Sequence, residues 1–181
     1  MRDHVCPWWL AFTFDNPIRK IFHNPRKILG EYVKEGMTVL DVGCGMGYFS
    51  IGMAKIVGKK GKVISADLQQ EMLDFTIKRA AKKGVAENIS IHRCKSDKIG
   101  VNEKVDFILL FWMAHEVPDL DSFFKELKSI MKPGAKILIA EPKFHVSKKE
   151  VAMEIESAQK AGLEEAPVKD VSLSHTCLFS N

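Results

Sequence analysis

The sequence predicts an α/β fold: a parallel sheet with helices on both faces, finished at one edge by an antiparallel C-terminal hairpin. Three observations predict it. From about residue 37 onward, short apolar segments alternate with segments of helical spacing. One of the apolar segments, KVDFILLF, is hydrophobic nearly throughout, as a strand covered on both faces must be. The tail carries two strand-like segments, LEEAPVKD and VSLSHTCLFS, with only a short break at Lys169-Asp170, a spacing that lets them pair antiparallel.

Taken in order, Asn16-Pro17 and Asn24-Pro25 each read as an N-cap followed by proline at the first helical position. They predict two short helices, one holding Ile18, Ile21 and Phe22, the next holding Ile28, Leu29, Tyr32 and Val33, with Gly36 as its stop. MTVLDVG is the first strand, and YFSIGMAKIVG a helix stopped by Gly58. KVISAD is the second strand, and QQEMLDFTIKRAAKKG a helix ending at Gly84. NISIHRC and KVDFILLF are the third and fourth strands. DLDSFFKELKSIMKPG is a helix with Asp119 or Asp121 near its cap and Pro133-Gly134 as its stop, AKILIAEP the fifth strand, and KKEVAMEIESAQKAG the last helix. No linker or repeat divides the chain. Residues 1–181 are therefore expected to be one domain, with an N-terminal segment 1–35 and a core 36–181.

Composition narrows the function. The net charge of +4 is mild, and the lysines fall at the ends of elements rather than along one face, so no nucleic-acid surface is expected. Four cysteines are widely spread without a CxxC, which reads as reduced thiols and a cytoplasmic protein. No apolar run reaches the roughly 18 residues a membrane span needs. The aromatic opening HVCPWWLAFTFDN does not fit an export signal: only Arg2 is basic ahead of it, Pro7 interrupts it and Asp15 ends it.

The most informative stretch is VLDVGCGMGYFS. The first strand ends at Asp41-Val42, and Gly43, Gly45 and Gly47 alternate before the helix. Glycines there let a ligand approach the main chain, and the helix N-terminus offers unpaired N–H groups. A dinucleotide site would place its third glycine one position later, where Tyr48 stands. Asp67, ending the second strand, is placed to accept hydrogen bonds from both ribose hydroxyls of an adenosine. A tight turn with no ligand is the alternative for the glycines alone.

LDVGCGMGYFS together with VISADLQQEML resembles the first two motifs of the class I S-adenosylmethionine-dependent methyltransferases, and the likeness runs from about Gly36 to the final hairpin. The resemblance implies a Rossmann-like sheet of seven strands, the last antiparallel, and S-adenosylmethionine as cofactor. It implies that the backbone of Gly43, Cys44, Gly45 and Gly47 holds the methionine part, with Asp41 beneath it. Asp67 would bind the ribose, Leu68 and Met72 would pack on the adenine, Asp97, with Ser96 beside it, would meet its amino group, and Phe111 would flank the methionine. For Leu68 and Met72, packing in the core is the alternative.

Methyl transfer from a sulfonium is an in-line displacement, so alignment supplies much of the rate, roughly 7–11 kcal/mol in intramolecular systems. A base is needed only when the acceptor must lose a proton first. On the acceptor side, in FWMAHEVPDL, His115 and Glu116 are the candidate base or orienting pair; the alternative is that His115 caps the next helix or packs in its loop. Trp112 and Glu141 are candidate acceptor contacts, with Lys143 and His145 close behind. A plain turn at Pro142 is the alternative for Glu141.

The motif N/D-P-P-Y/F of nucleic-acid and protein amide N-methylating relatives is missing after the fourth strand, as is the Pro-Cys pair of cytosine C5 enzymes. That leaves a small-molecule acceptor, aromatic or hydrophobic, with no nucleic-acid partner. The pattern is similar to the branch holding quinone-ring and arsenite methyltransferases. Arsenite would need clustered thiolates, and Cys44 and Cys94 have no neighbouring cysteine in sequence. A non-catalytic cofactor-binding module, or a subunit of a complex, is the competing reading.

Two features remain. His4-x-Cys6 mirrors His175-x-Cys177, but structural zinc pairs use wider cysteine spacing and nothing in the sequence brings the ends together, so no metal is expected. Trp8, Trp9, Phe12 and Phe14 precede the first strand, where such enzymes often carry a lid, and are candidates to wall the acceptor pocket; packing on the sheet's edge is the alternative. Arg19, Lys20, Arg26 and Lys27 beside them allow peripheral membrane contact without stable insertion.

Overall fold

The computed structural model describes residues 22–181. Helix α1 (Pro25–Leu29) starts as its sequence requires, with the Asn24 side chain accepting the N–H groups of Arg26 and Lys27. The chain continues through β1 (Thr38–Val42), α2 (Tyr48–Val57), β2 (Lys62–Asp67), α3 (Gln70–Lys82), β3 (Ile89–Arg93) and β4 (Val105–Phe111). After β4 come a 3-10 turn (Ala114–Glu116), α4 (Leu120–Ile130), β5 (Met131–Pro142), α5 (Lys148–Lys160), β6 (Glu164–Ala166) and β7 (Ser174–Ser180).

The strands form one seven-stranded sheet in the order β3-β2-β1-β4-β5-β7-β6. The first five run parallel, while β7 is antiparallel to both β5 and β6. The chain leaves β1 toward β2 on one side, and β4 lies on the other. The order therefore reverses between β1 and β4, which opens a crevice at their carboxyl ends.

Strand alternation divides the core into two layers. Val39, Val63, Phe107, Leu109 and Leu138 face Leu29, Phe49, Met53 and Val57 on α1 and α2. Leu40, Ile64, Ile108, Leu110, Ile137 and Ile139 face Phe124 and Leu127 on α4 and Val151 and Ala158 on α5. Asp119 caps α4 by accepting Ser122 N–H, and Ser147 with Glu150 forms a capping box on α5.

Two local expectations are revised. The sequence places a stop at Pro133-Gly134, but β5 already begins at Met131, which pairs with Val105, and the register slips before Phe107. Proline has no N–H to give a ladder, so it occupies the irregular stretch. LEEAPVKD yields strand only over Glu164–Ala166, because Pro167 cannot continue the pairing. As the sequence reads, β3 and β4 are joined without a helix. The connection is pinned by burial of Ile99 and Val101, and by Glu126 of α4 accepting Ile99 N–H and Gly100 N–H at 3.0 and 2.7 Å.

Candidate functional site

The glycine turn after β1 is fixed from two sides. Asp67, at the end of β2 and 8% exposed, accepts Gly45 N–H through Oδ2 and Gln69 N–H through Oδ1, both at 2.9 Å. From α3, Thr76 donates its hydroxyl to Gly45 O at 2.9 Å, and one helical turn on Arg79 Nη1 donates to Met46 O at 3.0 Å. Beneath the turn, Asp41 is buried and its Oδ2 accepts the Ser50 hydroxyl from the first turn of α2.

The three glycines divide by what surrounds them. A Cβ on Gly43 would lie 2.8 Å from Met113 Cβ, and one on Gly47 would lie 2.6 Å from Thr76 Cγ2. Both are glycine because neighbouring side chains fill the space. Gly45, also at positive φ (+53°), would meet nothing within 4 Å. The outer side of the turn is thus stripped of side chains and open. Asp67 keeps lone pairs beyond the two it uses, since a carboxylate offers about four acceptor positions. Burial raises its pKa, opposed by the N–H groups of Gln69, Gly45 and Leu68. An open backbone cradle beside a buried acid fits a nucleoside carrying an amino-acid group.

The other cofactor-side candidates are spread around this cradle. Met72 is buried, Leu68 is half-buried, and Ser96 and Asp97 occupy an exposed turn closed by a bridge between Lys95 and Lys98. Phe111 ends β4 and packs on Phe49 with ring centroids 4.2 Å apart. Cys44 sits in the turn itself, almost fully buried.

The acceptor-side residues follow β4. Trp112 adopts φ of +59°, bonds Ala140 O at 2.7 Å through its N–H, and donates its indole N–H to Ser174 Oγ at 2.9 Å. Its ring meets His23 and Phe144 edge-on. Met113, next in the chain, is the residue that fills the space over Gly43, so the acceptor-side loop rests on the glycine turn.

Two residues further, His115 Nδ1 bonds Glu141 Oε2, and Glu141 Oε1 accepts Ala114 N–H at 2.8 Å. Glu141 has no exposure to solvent. Burial alone would lower the His115 pKa; the hydrogen bond and charge of Glu141, then Glu116 and Glu150, outweigh it and raise the pKa above the ordinary imidazole value. With Nδ1 committed to a carboxylate, Nε2 is the nitrogen that exchanges a proton. The sequence pairs His115 with Glu116, its neighbour; the structure brings it to Glu141, 26 residues away. Glu116 is half-buried in the same 3-10 turn.

Several candidate residues lie elsewhere. Trp8, Trp9 and Phe12, and the pair His4 and Cys6, fall outside the described residues. Among the described residues no group of three or more His, Cys, Asp or Glu side chains is arranged to hold a metal ion. The three described cysteines are weak nucleophiles: burial foremost pushes Cys44 well up, Cys94 to about 12 and Cys177 to about 11. No helix among the described residues is long and apolar enough to cross a membrane. A concavity of about 700 Å³ between α1 and α2, with Arg26, Lys34 and Lys55 in its wall, contains none of the candidate residues.

Sequence reasoning missed Thr76, Arg79, Ser50 and Glu154. Thr76 and Arg79 are spaced three apart on one helix face, a signal that was legible but not specific. Glu154 stands at a core position of the α5 repeat, between Val151 and Ala158.

The chain matches the model of a family described as a methyltransferase domain over residues 33–175. Over 97% of its length it superposes, at a TM-score of 0.85 and 31% identity, on 98% of a SAM-dependent methyltransferase from Aquifex aeolicus. It also shares its fold, at a TM-score of 0.78 and 17% identity, with an S-adenosyl-L-methionine-dependent methyltransferase assigned as such in Methanococcus maripaludis, covering 99% of this chain and 96% of that one. It is 32% identical over 110 residues to a demethylmenaquinone methyltransferase of Lactobacillus johnsonii, covering 60% of this chain and 45% of that protein. It is 31% identical over 110 residues to a ubiquinone/menaquinone biosynthesis C-methyltransferase of Cellvibrio japonicus, covering 60% and 44% respectively. The match thus spans less than half the length of these curated relatives.

Proposed function

The chain belongs to the S-adenosylmethionine-dependent methyltransferases, and from that premise we propose that it methylates a small aromatic or hydrophobic acceptor presented to the His115–Glu141 pair. S-adenosylmethionine, when bound, supplies an electrophilic methyl group on a sulfonium. The open turn at Gly45, with Gly43 and Gly47 to either side, would hold its amino-acid part, Asp41 would keep the turn in place, and Asp67 would take the ribose hydroxyls. Leu68, Met72, Ser96, Asp97 and Phe111 would border the remainder.

One observation carries the acceptor side. The loop after β4 rests on the glycine turn through Met113 and Gly43, and two residues later it presents an imidazole backed by a buried carboxylate. His115 would take a proton from an acidic acceptor group, such as a phenol, at Nε2. Glu141 would hold the ring in one tautomer and stabilise the imidazolium. Trp112 and Phe144 give that rim an aromatic wall suited to a flat ring. The quinone-ring methyltransferases among the relatives support the same class of acceptor.

The test is transfer of a labelled methyl group from S-adenosylmethionine to a panel of phenols and hydroquinones, with RNA and a protein mixture alongside. Label entering the aromatic compounds, and lost on His115→Ala, is the expected result. Label entering RNA or protein alone would overturn the acceptor class. Binding of the cofactor with no transfer to any of these would leave a non-catalytic binding module.

A further inference from the structure

Among the buried groups that this reaction does not use, Glu154 is the most unusual. It occupies a core position of α5, it is 1% exposed, and neither of its carboxyl oxygens has a hydrogen-bond partner among the described residues. Alternation along β5 puts Glu141 on the same side as Ile137 and Ile139, the layer that α5 covers. Cys177 of β7, paired with Ile139, lies in that layer too. Two acids on facing elements, both cut off from water, cannot both ionise without a large penalty. Partners decide which one keeps the charge. Glu141 accepts two hydrogen bonds, from Ala114 N–H and His115 Nδ1–H, and Glu154 accepts none.

We propose that Glu154 is a positioning residue for the His115–Glu141 pair: it holds a proton at neutral pH, so that Glu141 is the single buried anion that orients His115 and sets its charge. The inference rests on reading His115 as the base. An ionised Glu154 would add a second negative charge behind Glu141, hold the His115 proton more tightly and leave less of the imidazole neutral, and so free to take a proton, at neutral pH.

The electrostatics agree with the geometry. Burial first, then the charges of Glu141 and Glu150, push the Glu154 carboxyl up to about 9. On α5 itself, Glu150 is bound to Ser147 in the capping box. On β7, Cys177 is pushed up by burial and then by Glu165 and Glu154. The 3-10 turn contributes His115 and Glu116, and the turn between β5 and α5 contributes His145, whose ring meets His115 edge-on with centroids 5.1 Å apart. From α4, Asp121 acts on Lys160 and Lys128 donates to Gly162 O, both at the far end of α5.

The experiment is an NMR titration of the His115 imidazole in the cofactor-free protein, wild type against Glu154→Gln, whose amide has the shape of the protonated acid. The two His115 curves should coincide through neutral pH. Above it the wild type should show a second inflection near 9 that Glu154→Gln lacks. A His115 midpoint lowered by about one unit or more in the variant, a tenfold loss of proton affinity, would mean Glu154 is charged at neutral pH and would overturn the proposal. Curves that coincide everywhere, with no second inflection in either protein, would also overturn it. Glu154→Leu, which removes the group entirely, gives the same comparison should the glutamine disturb packing. None of these outcomes requires an acceptor, so they stand apart from the fate of the methylation reading.

Discussion

His115 and Glu141 are joined through Nδ1 and Oε2 at the carboxyl ends of β4 and β5, with the second Glu141 oxygen held by Ala114 N–H at 2.8 Å. The carboxylate therefore fixes both the tautomer of the ring and the loop that carries it. Glu141→Gln should lower the rate of methyl transfer about 100-fold or more, the range for a displaced general base. Affinity for S-adenosylmethionine should stay within about twofold, because the cofactor cradle is built from other residues. Transfer kinetics beside calorimetry of cofactor binding check both halves.

The same pair sets a pH dependence. As a base, His115 must be neutral, and Glu141 holds its pKa above the ordinary 6.5. The rate should therefore rise with pH along a limb centred above 6.5, and in Glu141→Gln that limb should move toward lower pH. Stability runs the opposite way. A histidine whose pKa is raised in the folded state contributes stability that is full below 6.5 and is lost as pH rises through its folded value. Thermal unfolding across neutral pH should show a steeper loss in the wild type than in His115→Ala, which keeps only the slope that Glu154 contributes.

The glycines of the turn should separate binding from folding. Gly45→Arg places a side chain in space where nothing lies within 4 Å, so it should remove S-adenosylmethionine binding, a loss of about 100-fold or more, while the protein stays folded. Gly47→Ala drives a Cβ to 2.6 Å from Thr76 and should destabilise the fold by about 1–3 kcal/mol. Circular dichroism with calorimetry distinguishes the two. Retained cofactor affinity in Gly45→Arg would contradict the placement of the cofactor here.

Glu154 makes a separate claim on stability. Its pKa is 4.5 in an ordinary setting and about 9 in the fold, so the folded state binds the proton more tightly. Its contribution is full below 4.5 and is lost as pH rises through about 9. The loss is at most about 1.4 kcal/mol per pH unit over that window. Glu154→Gln should remove this slope, so that the variant gains on the wild type as pH rises. Denaturant unfolding at a series of pH values reads the difference, and parallel curves for the two proteins would contradict it.

The sequence by itself determined the order of the strands and helices, the parallel sheet with its antiparallel edge, the glycine turn and the acid at the end of β2. These are local facts: period, capping and glycine placement act within a few residues, and Asn24 and Asp119 cap where their side chains predict. It missed the start of β5, because a pairing partner far along the chain, Val105, decides it, and it missed the shortness of β6 although Pro167 marks that end. Only the tertiary structure chose Glu141 rather than Glu116 as the partner of His115, set Thr76 and Arg79 on the glycine turn, and enclosed Glu154 behind the site. Each of those contacts joins residues more than ten positions apart on different elements, or depends on which helix face the sheet covers. Sequence spacing carries no record of either until the chain has folded.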